Sequence, residues 1–125
     1  MSKMEILSKD APPPGGAYSQ ALRVGDFVYL SGIGPKHPVT GDIPDTIEEQ
    51  TALVLESIRN ILALADAGMA DVVKSTVHLS DLSLFERFNG EYAKWFPEPR
   101  PVRTTVGSQL AGIMVEIDVV AWTGE

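Results

Sequence analysis

Cysteine is absent from the 125-residue chain. That excludes disulfides, a thiolate nucleophile, and Cys-rich zinc or iron–sulfur sites. Histidine occurs twice, at His37 and His78, so a metal site would have to be built largely from carboxylates. No apolar run approaches the roughly 18–20 residues of a membrane span. The opening residues, Met1-Ser2-Lys3-Met4-Glu5-Ile6-Leu7-Ser8-Lys9-Asp10, carry acids and lack a signal peptide's long apolar segment. The expected compartment is the cytoplasm, with no membrane partner. Basic runs are missing too. Ten Lys and Arg stand against 17 Asp and Glu, a net charge of −7 and a pI near 4.7. Such a chain does not attract a phosphate backbone, so nucleic acid is not an expected partner. No glycine-rich loop of Walker or Rossmann spacing occurs, and no G-x-S-x-G elbow. Neither a cofactor nor a metal is expected.

What is present is an ordinary globular balance, 44% hydrophobic and 22% charged, at a length suited to one domain over residues 1–125. Pro12-Pro13-Pro14-Gly15-Gly16 can be neither helix nor strand interior. Tyr18 to Val24 then alternates, Gly25-Asp26 is a two-residue hairpin signal, and Phe27-Val28-Tyr29-Leu30 follows as the second strand. Ser31-Gly32-Ile33-Gly34-Pro35 breaks it. Thr46 and Glu49 have capping-box spacing, predicting a helix from Ile47 to Ala67, closed at Gly68. Its apolar stripe is Ile47, Val54, Leu55, Ile58, Ile61, Leu62 and Ala65. Val72 to Leu79 reads as a strand. Ser83 and Glu86 have the spacing of a second capping box, opening a helix that presents Leu84, Phe85, Phe88, Tyr92, Trp95 and Phe96 until Pro97 stops it. Pro97 to Pro101 is expected to be extended. Val102–Val106 and Ile113–Trp122 are the last strands, and Met4–Leu7 is a further short one.

Two helices cover one face of a sheet. The strands, however, are apolar on both faces: Phe27 and Tyr29 oppose Val28 and Leu30, and Met114, Val120 and Trp122 oppose Val115, Ile117 and Val119. A half-exposed antiparallel sheet alternates cleanly between apolar and polar. The uncovered face is therefore expected to pack against another copy of the chain.

Several polar residues lie in or beside these apolar strands, where burial needs a reason. Arg103 opens a strand just after the proline-rich segment. Its guanidinium is either a planar fork for a carboxylate or that of an ordinary strand arginine, paired with a neighbouring acid or snorkelling to water. Glu116 shares a strand face with Asp118 and Trp122, and either orients a water or belongs to a solvated face. Tyr18 closes over a ligand or anchors the hairpin. Asn89 is a polar helix face or a site wall, and His78 reads as a partly buried strand histidine.

Gly16-Ala17-Tyr18-Ser19-Gln20, Val24-Gly25-Asp26-Phe27-Val28-Tyr29-Leu30-Ser31-Gly32, Pro101-Val102-Arg103-Thr104-Thr105-Val106 and Val115-Glu116-Ile117 together resemble the RidA/YjgF family of reactive-intermediate deaminases. The resemblance runs from about Ala17 to Ala121. It implies an α+β, chorismate-mutase-like mixed sheet with two helices on one face, and a homotrimer whose sheets form a central barrel. It implies a cofactor-independent hydrolase of the 2-iminobutanoate/2-iminopropanoate deaminase type. Such an enzyme converts 2-aminoacrylate-type enamines and imines to 2-keto acids and ammonia in clefts between subunits. In that pattern Arg103 grips the substrate carboxylate and Glu116 orients the attacking water. Tyr18, Ser31, Gly32, Asn89 and Thr105 line the cleft, Gly32 and Thr105 through their backbone. The alternatives are a non-catalytic small-molecule-binding or regulatory trimer of the same fold and a ribonuclease. Acidic charge and the lack of a plausible histidine pair argue against the last.

Overall fold

The computed structural model describes residues 2–124. In chain order the elements are β1 (Lys3–Ile6), β2 (Ala21–Val24), β3 (Phe27–Leu30), α1 (Ile47–Ala63), β4 (Val72–Leu79), α2 (Phe85–Tyr92), β5 (Val102–Gly107) and β6 (Val115–Trp122). The strands form one six-stranded sheet in the order β1-β2-β3-β6-β4-β5. Every neighbouring pair is antiparallel except β4 and β5, which run parallel. Both helices lie on one face, giving the expected α+β, chorismate-mutase-like architecture.

The stripe of α1 forms as the periodicity predicts. Val54, Leu55, Ile58, Ile61 and Leu62 are fully buried, packed against the inward residues Val28, Val77, Leu79, Val115, Ile117 and Val119. Removing one of these aliphatic side chains costs about 2–5 kcal/mol. Thr46 caps the helix: its Oγ1 accepts from the Glu49 backbone N–H at 3.1 Å and donates to Glu49 Oε1 at 3.0 Å.

Several boundaries differ from the sequence reading, most of them where a local polar group competes. α1 ends at Ala63 rather than Ala67. Asp66 takes the left-handed conformation, φ 54°, and the Ala67 N–H closes onto the Leu62 carbonyl. Gly68 is extended and opens the next turn, its N–H donating to Asp71 Oδ2 at 2.8 Å. Ser83 caps nothing. The better acceptor, the Asp81 carboxylate, takes the Ser83 N–H at 2.8 Å and starts a 3-10 turn over Leu82–Leu84 that leads into α2. α2 itself ends at Tyr92, so Trp95 follows in a turn and Phe96 and Pro97 lie beyond it. The segment from Pro97 to Pro101 bends at Glu98-Pro99, a cis peptide, instead of running extended. β2 begins at Ala21, because the Tyr18 N–H turns back onto the Gly16 carbonyl at 2.9 Å. β6 begins at Val115, since the Met114 N–H is taken by Gln50 Oε1 at 2.8 Å.

One irregularity positions the site. β4 carries a bulge between Val72 and Lys74, where Val72 pairs with Ala121 and Lys74 with Val120. An inserted residue shifts the alternation by one. Val72 points inward before the bulge, and Ser75, Val77 and Leu79 point inward after it. Lys74, Thr76 and His78 are thereby kept out of the core.

The face away from the helices is uncovered in the chain. Phe27, Tyr29 and Trp122 stand on it, 40%, 45% and 42% exposed. Phe27 pairs with Trp122 and Tyr29 with Val120 across β3 and β6.

Candidate active site

Arg103 sits on edge strand β5 opposite Ser75, whose side chain is buried beneath the helices, so it faces α2. Its Nη1 donates to Asn89 Oδ1 at 2.8 Å. The guanidinium carbon lies 4.8 Å from the centre of the Tyr92 ring, 5.4 Å from Phe85 and 5.8 Å from Phe88. Four residues of one helix therefore hold it, because positions 85, 88, 89 and 92 share a face at i, i+3, i+4 and i+7. Among the described residues Arg103 makes no ion pair; the salt bridges are Arg87–Glu48, Lys94–Glu91 and Arg100–Glu98. Within the described chain, Arg103 is thus not tied to a neighbouring acid. Arg103 and Asn89 open onto a hollow of about 360 Å³, also lined by Tyr92, Ala93, Arg100 and Pro101. Thr105 pairs with buried Val77 and lies on the same face of β5.

Glu116 stands on the opposite face. It pairs with His78 across β4, between Val115 and Ile117, which are fully buried toward the helices. Its side chain folds over Gly32: a Cβ there would lie 2.8 Å from Oε1 and 2.9 Å from Cδ of Glu116. Only glycine allows that approach. Glu116 shares a hollow of about 270 Å³ with Tyr18, Ser31 and Gly32, and with Lys36, Ile43 and Ile113. Tyr18 lies back over the glycine turn, its Oη accepting from the Gly15 N–H at 2.9 Å. Its own proton stays available to a ligand. Ser31 donates its hydroxyl to the Gln20 carbonyl at 3.1 Å, so its oxygen remains an acceptor.

The sequence-derived residues therefore fall into two groups. Asn89, Arg103 and Thr105 are together on the helix side; Tyr18, Ser31, Gly32 and Glu116 are together at the other hollow. Within one chain these do not meet. Arg103 is level with Ser75 and Glu116 with His78, three residues and two strands apart, or roughly 14 Å from strand geometry, with the sheet between them.

Three contributors were not singled out from the sequence as site residues. Tyr92 and Phe85 showed only as members of an apolar stripe, yet they wall the guanidinium. Gln20 is buried and fully used: Oε1 accepts from the Ser8 N–H at 2.7 Å and Nε2 donates to the Pro12 carbonyl at 2.9 Å. It holds the proline segment as a wall of the Glu116 hollow. Its signal was a polar residue abutting an apolar strand. Burial pushes the Tyr92 hydroxyl up, against its bond to Ser75 and the Arg103 charge. Burial likewise pushes up the Asp118 carboxyl, against His78 and Lys74. His78 itself is bonded through Nδ1 to Ser108 Oγ at 2.7 Å, as a partly buried strand histidine. Among the described residues no three His, Asp or Glu side chains are grouped to hold a metal ion. No helix of the described chain is long and apolar enough to cross a membrane.

Residues 8–123 match the family model described as Endoribonuclease L-PSP. A RutC family protein of Pyrococcus abyssi is 42% identical over 125 residues, covering 98% of each chain. The chloroplastic Reactive Intermediate Deaminase A of Arabidopsis thaliana is 38% identical over 123 residues, 95% of this chain and 66% of that protein. The crystal structure of E. coli TdcF with bound serine superposes with a TM-score of 0.91 at 31% identity, covering 97% of this chain and 99% of that one. An arginine with no acidic partner among the described residues on one face, a carboxylate on the other, and similarity over nearly the whole chain lead to one assignment: the chain belongs to the RidA/YjgF family, whose family model carries the L-PSP name.

Proposed function

We propose that this protein hydrolyses imines of 2-amino acids, and enamines of the 2-aminoacrylate type once tautomerised, to 2-keto acids and ammonia. The observation that carries this reading is Arg103: a half-buried cation, caged by aromatic rings and held at one edge by Asn89, with no acidic partner among the described residues. A partly desolvated guanidinium with an open edge suits a carboxylate, bound by two parallel hydrogen bonds.

The chemistry follows from that grip. A protonated imine carbon is already electrophilic, so the enzyme must position it and place one water. Glu116 accepts a proton as the water oxygen bonds to that carbon. The C=N bond becomes single in a tetrahedral carbinolamine. Transfer of a proton to nitrogen then lets ammonia leave as the C–N bond breaks and the carbonyl forms. Tyr18 presents a donor and Ser31 an acceptor toward the same hollow.

Because Arg103 and Glu116 are on opposite faces, the working site needs two copies of the chain. We place Arg103, Asn89 and Thr105 of one subunit against Tyr18, Ser31, Gly32 and Glu116 of the next, in a homotrimer whose contacts cover the Phe27, Tyr29 and Trp122 face. The expected setting is the cytoplasm.

The test is complementation. Arg103→Ala and Glu116→Gln, each inactive alone in a coupled assay that times keto-acid release from enzymatically generated 2-iminobutanoate, are mixed, unfolded and refolded together. Random trimers then hold an intact Arg103 beside an intact Glu116 at about a quarter of their sites. About a quarter of wild-type turnover should return. No recovery would place both residues in one subunit's site. A wild-type protein that binds 2-oxobutanoate but accelerates no imine would favour the non-catalytic binding reading instead.

A further inference from the structure

Resting on the carboxylate-clamp reading above, we propose that Tyr92, tied to Ser75, is the positioning residue that sets the plane of the Arg103 guanidinium. Tyr92 is buried in an aromatic row, with ring centres 5.3 Å from Phe88 and 4.7 Å from Phe96. Packing alone would be served by phenylalanine, which brings no hydroxyl to satisfy. The hydroxyl of Tyr92 instead meets the Ser75 hydroxyl at 2.6 Å, and Ser75 is fully buried.

The location of that bond is what gives it a role. Ser75 is the residue of β4 that pairs directly with Arg103 of β5. Tyr92 presents to Arg103 the nearest of the three ring faces, 4.8 Å from the guanidinium carbon. The hydroxyl pair therefore pins a ring of α2 to the strand beside the arginine, at the arginine's own register. Asn89, one turn earlier on α2, holds Nη1 at 2.8 Å. Ring face and amide together fix tilt and rotation of the fork. A bidentate carboxylate bond is sensitive to both. The bulge in β4 makes the arrangement possible, since it is what turns Ser75 inward.

The test uses Tyr92→Phe, Ser75→Ala and the double variant, in the full-length protein. Three quantities are read: the Kd for 2-oxobutanoate by calorimetry, KM and kcat for 2-iminobutanoate, and the thermal midpoint. Each single variant leaves one buried hydroxyl without its partner, and its midpoint should fall. The double variant removes both and should recover midpoint. Clamp geometry should not recover. Kd and KM in Tyr92→Phe and in the double variant should both rise by about 3- to 10-fold, with kcat within about twofold. A double variant with restored midpoint and wild-type Kd would overturn the proposal and leave the hydroxyl pair to packing. A fall in kcat at unchanged KM would also overturn it, since the effect would then not pass through the clamp. Keto-acid affinity needs no turnover. If wild type binds 2-oxobutanoate without hydrolysing imines, the deaminase reading fails while the positioning role is still decided by Kd.

Discussion

Replacing Arg103 with lysine isolates the fork from the charge. The lysine ammonium keeps one positive charge and a stem long enough to reach the hollow, but it has no planar edge. The aromatic walls at 4.8, 5.4 and 5.8 Å hold a flat group in place, and the Asn89 Oδ1 contact at 2.8 Å uses one guanidinium nitrogen while leaving others to a ligand. An ammonium that satisfies Asn89 offers the substrate a single hydrogen bond where the fork offers two. One charge-assisted bond lost in a partly dry site is worth about 1.5–3 kcal/mol, or roughly one to two decades in kcat/KM. Weaker stacking adds about 0.5–1 kcal/mol. Stability should barely change, because no ion pair is broken: Arg103 has none among the described residues. The midpoint should therefore move by less than about 5 °C. The measurements are kcat/KM for 2-iminobutanoate, the thermal midpoint, and the mass in solution. Wild-type kcat/KM in Arg103→Lys would refute the clamp. Loss of assembly together with turnover would make the arginine a structural element of the interface.

Glu116→Gln should keep its shape over Gly32 and its affinity for 2-oxobutanoate while kcat falls by about 10²–10⁴-fold, the range for a placed general base; equal losses in binding would point to a different role. Gly32→Ala puts a Cβ 2.8 Å from Glu116 Oε1, so the carboxylate must swing aside. Turnover should fall toward that of Glu116→Gln, and a fully active Gly32→Ala would show that the position of Glu116 is not critical. Asp118, its carboxyl raised by burial, binds protons more tightly folded than unfolded, so stability declines as pH rises from the unfolded pKa through the folded one. Asp118→Asn should therefore raise the thermal midpoint at pH 7 relative to wild type and lose that advantage near pH 3; the same difference at both values would refute the sign. Light scattering should give about three times the 13.5 kDa chain mass, and a monomer at micromolar concentration would sink the split site.

The parts of the fold carried by periodicity were legible. The α1 stripe, the Gly25-Asp26 hairpin and the two-faced strands each repeat one signal over many residues, so no single competitor removes it. Several boundaries were not, because they turn on one polar group against another: Asp81 takes the Ser83 N–H, and Asp71 takes the N–H of the glycine expected to close α1. The bulge at Val72–Lys74 was also hidden. Strict alternation through β4 puts Val72 on the side of Lys74 and His78, and nothing in the composition says that an inserted step brings Val72 and Ser75 to the same face. The site residues themselves were reached through the resemblance, since singly each had an ordinary structural reading. Their distribution over two faces needed the sheet order. Arg103 and Glu116 come from adjacent stretches of chain, but β6 and β5 are separated by β4, and the parity of their registers sends the two side chains apart.

That separation gives a physical reason for the uncovered aromatic face. In a lone chain the Glu116 hollow opens to solvent, and a carboxylate surrounded by bulk water has no means of selecting one molecule for attack. Under the proposed two-copy site, covering that side with a second copy would exclude the excess water and, in the same contact, supply the cation for the substrate carboxylate. The apolar residues that would favour association, Phe27, Tyr29, Val120 and Trp122, lie on the same face of the sheet as Glu116. Burying them would stabilise such an assembly by roughly 25 cal/mol per Å² of apolar surface removed from water. A single chain would thus have neither the grip nor the dryness, and association would provide both. On this account a substitution that weakens only the aromatic contact, such as Trp122→Glu, removes turnover without touching Arg103 or Glu116. Activity should then track the fraction of trimer as protein concentration is raised, and activity independent of concentration in a dissociated variant would separate assembly from chemistry.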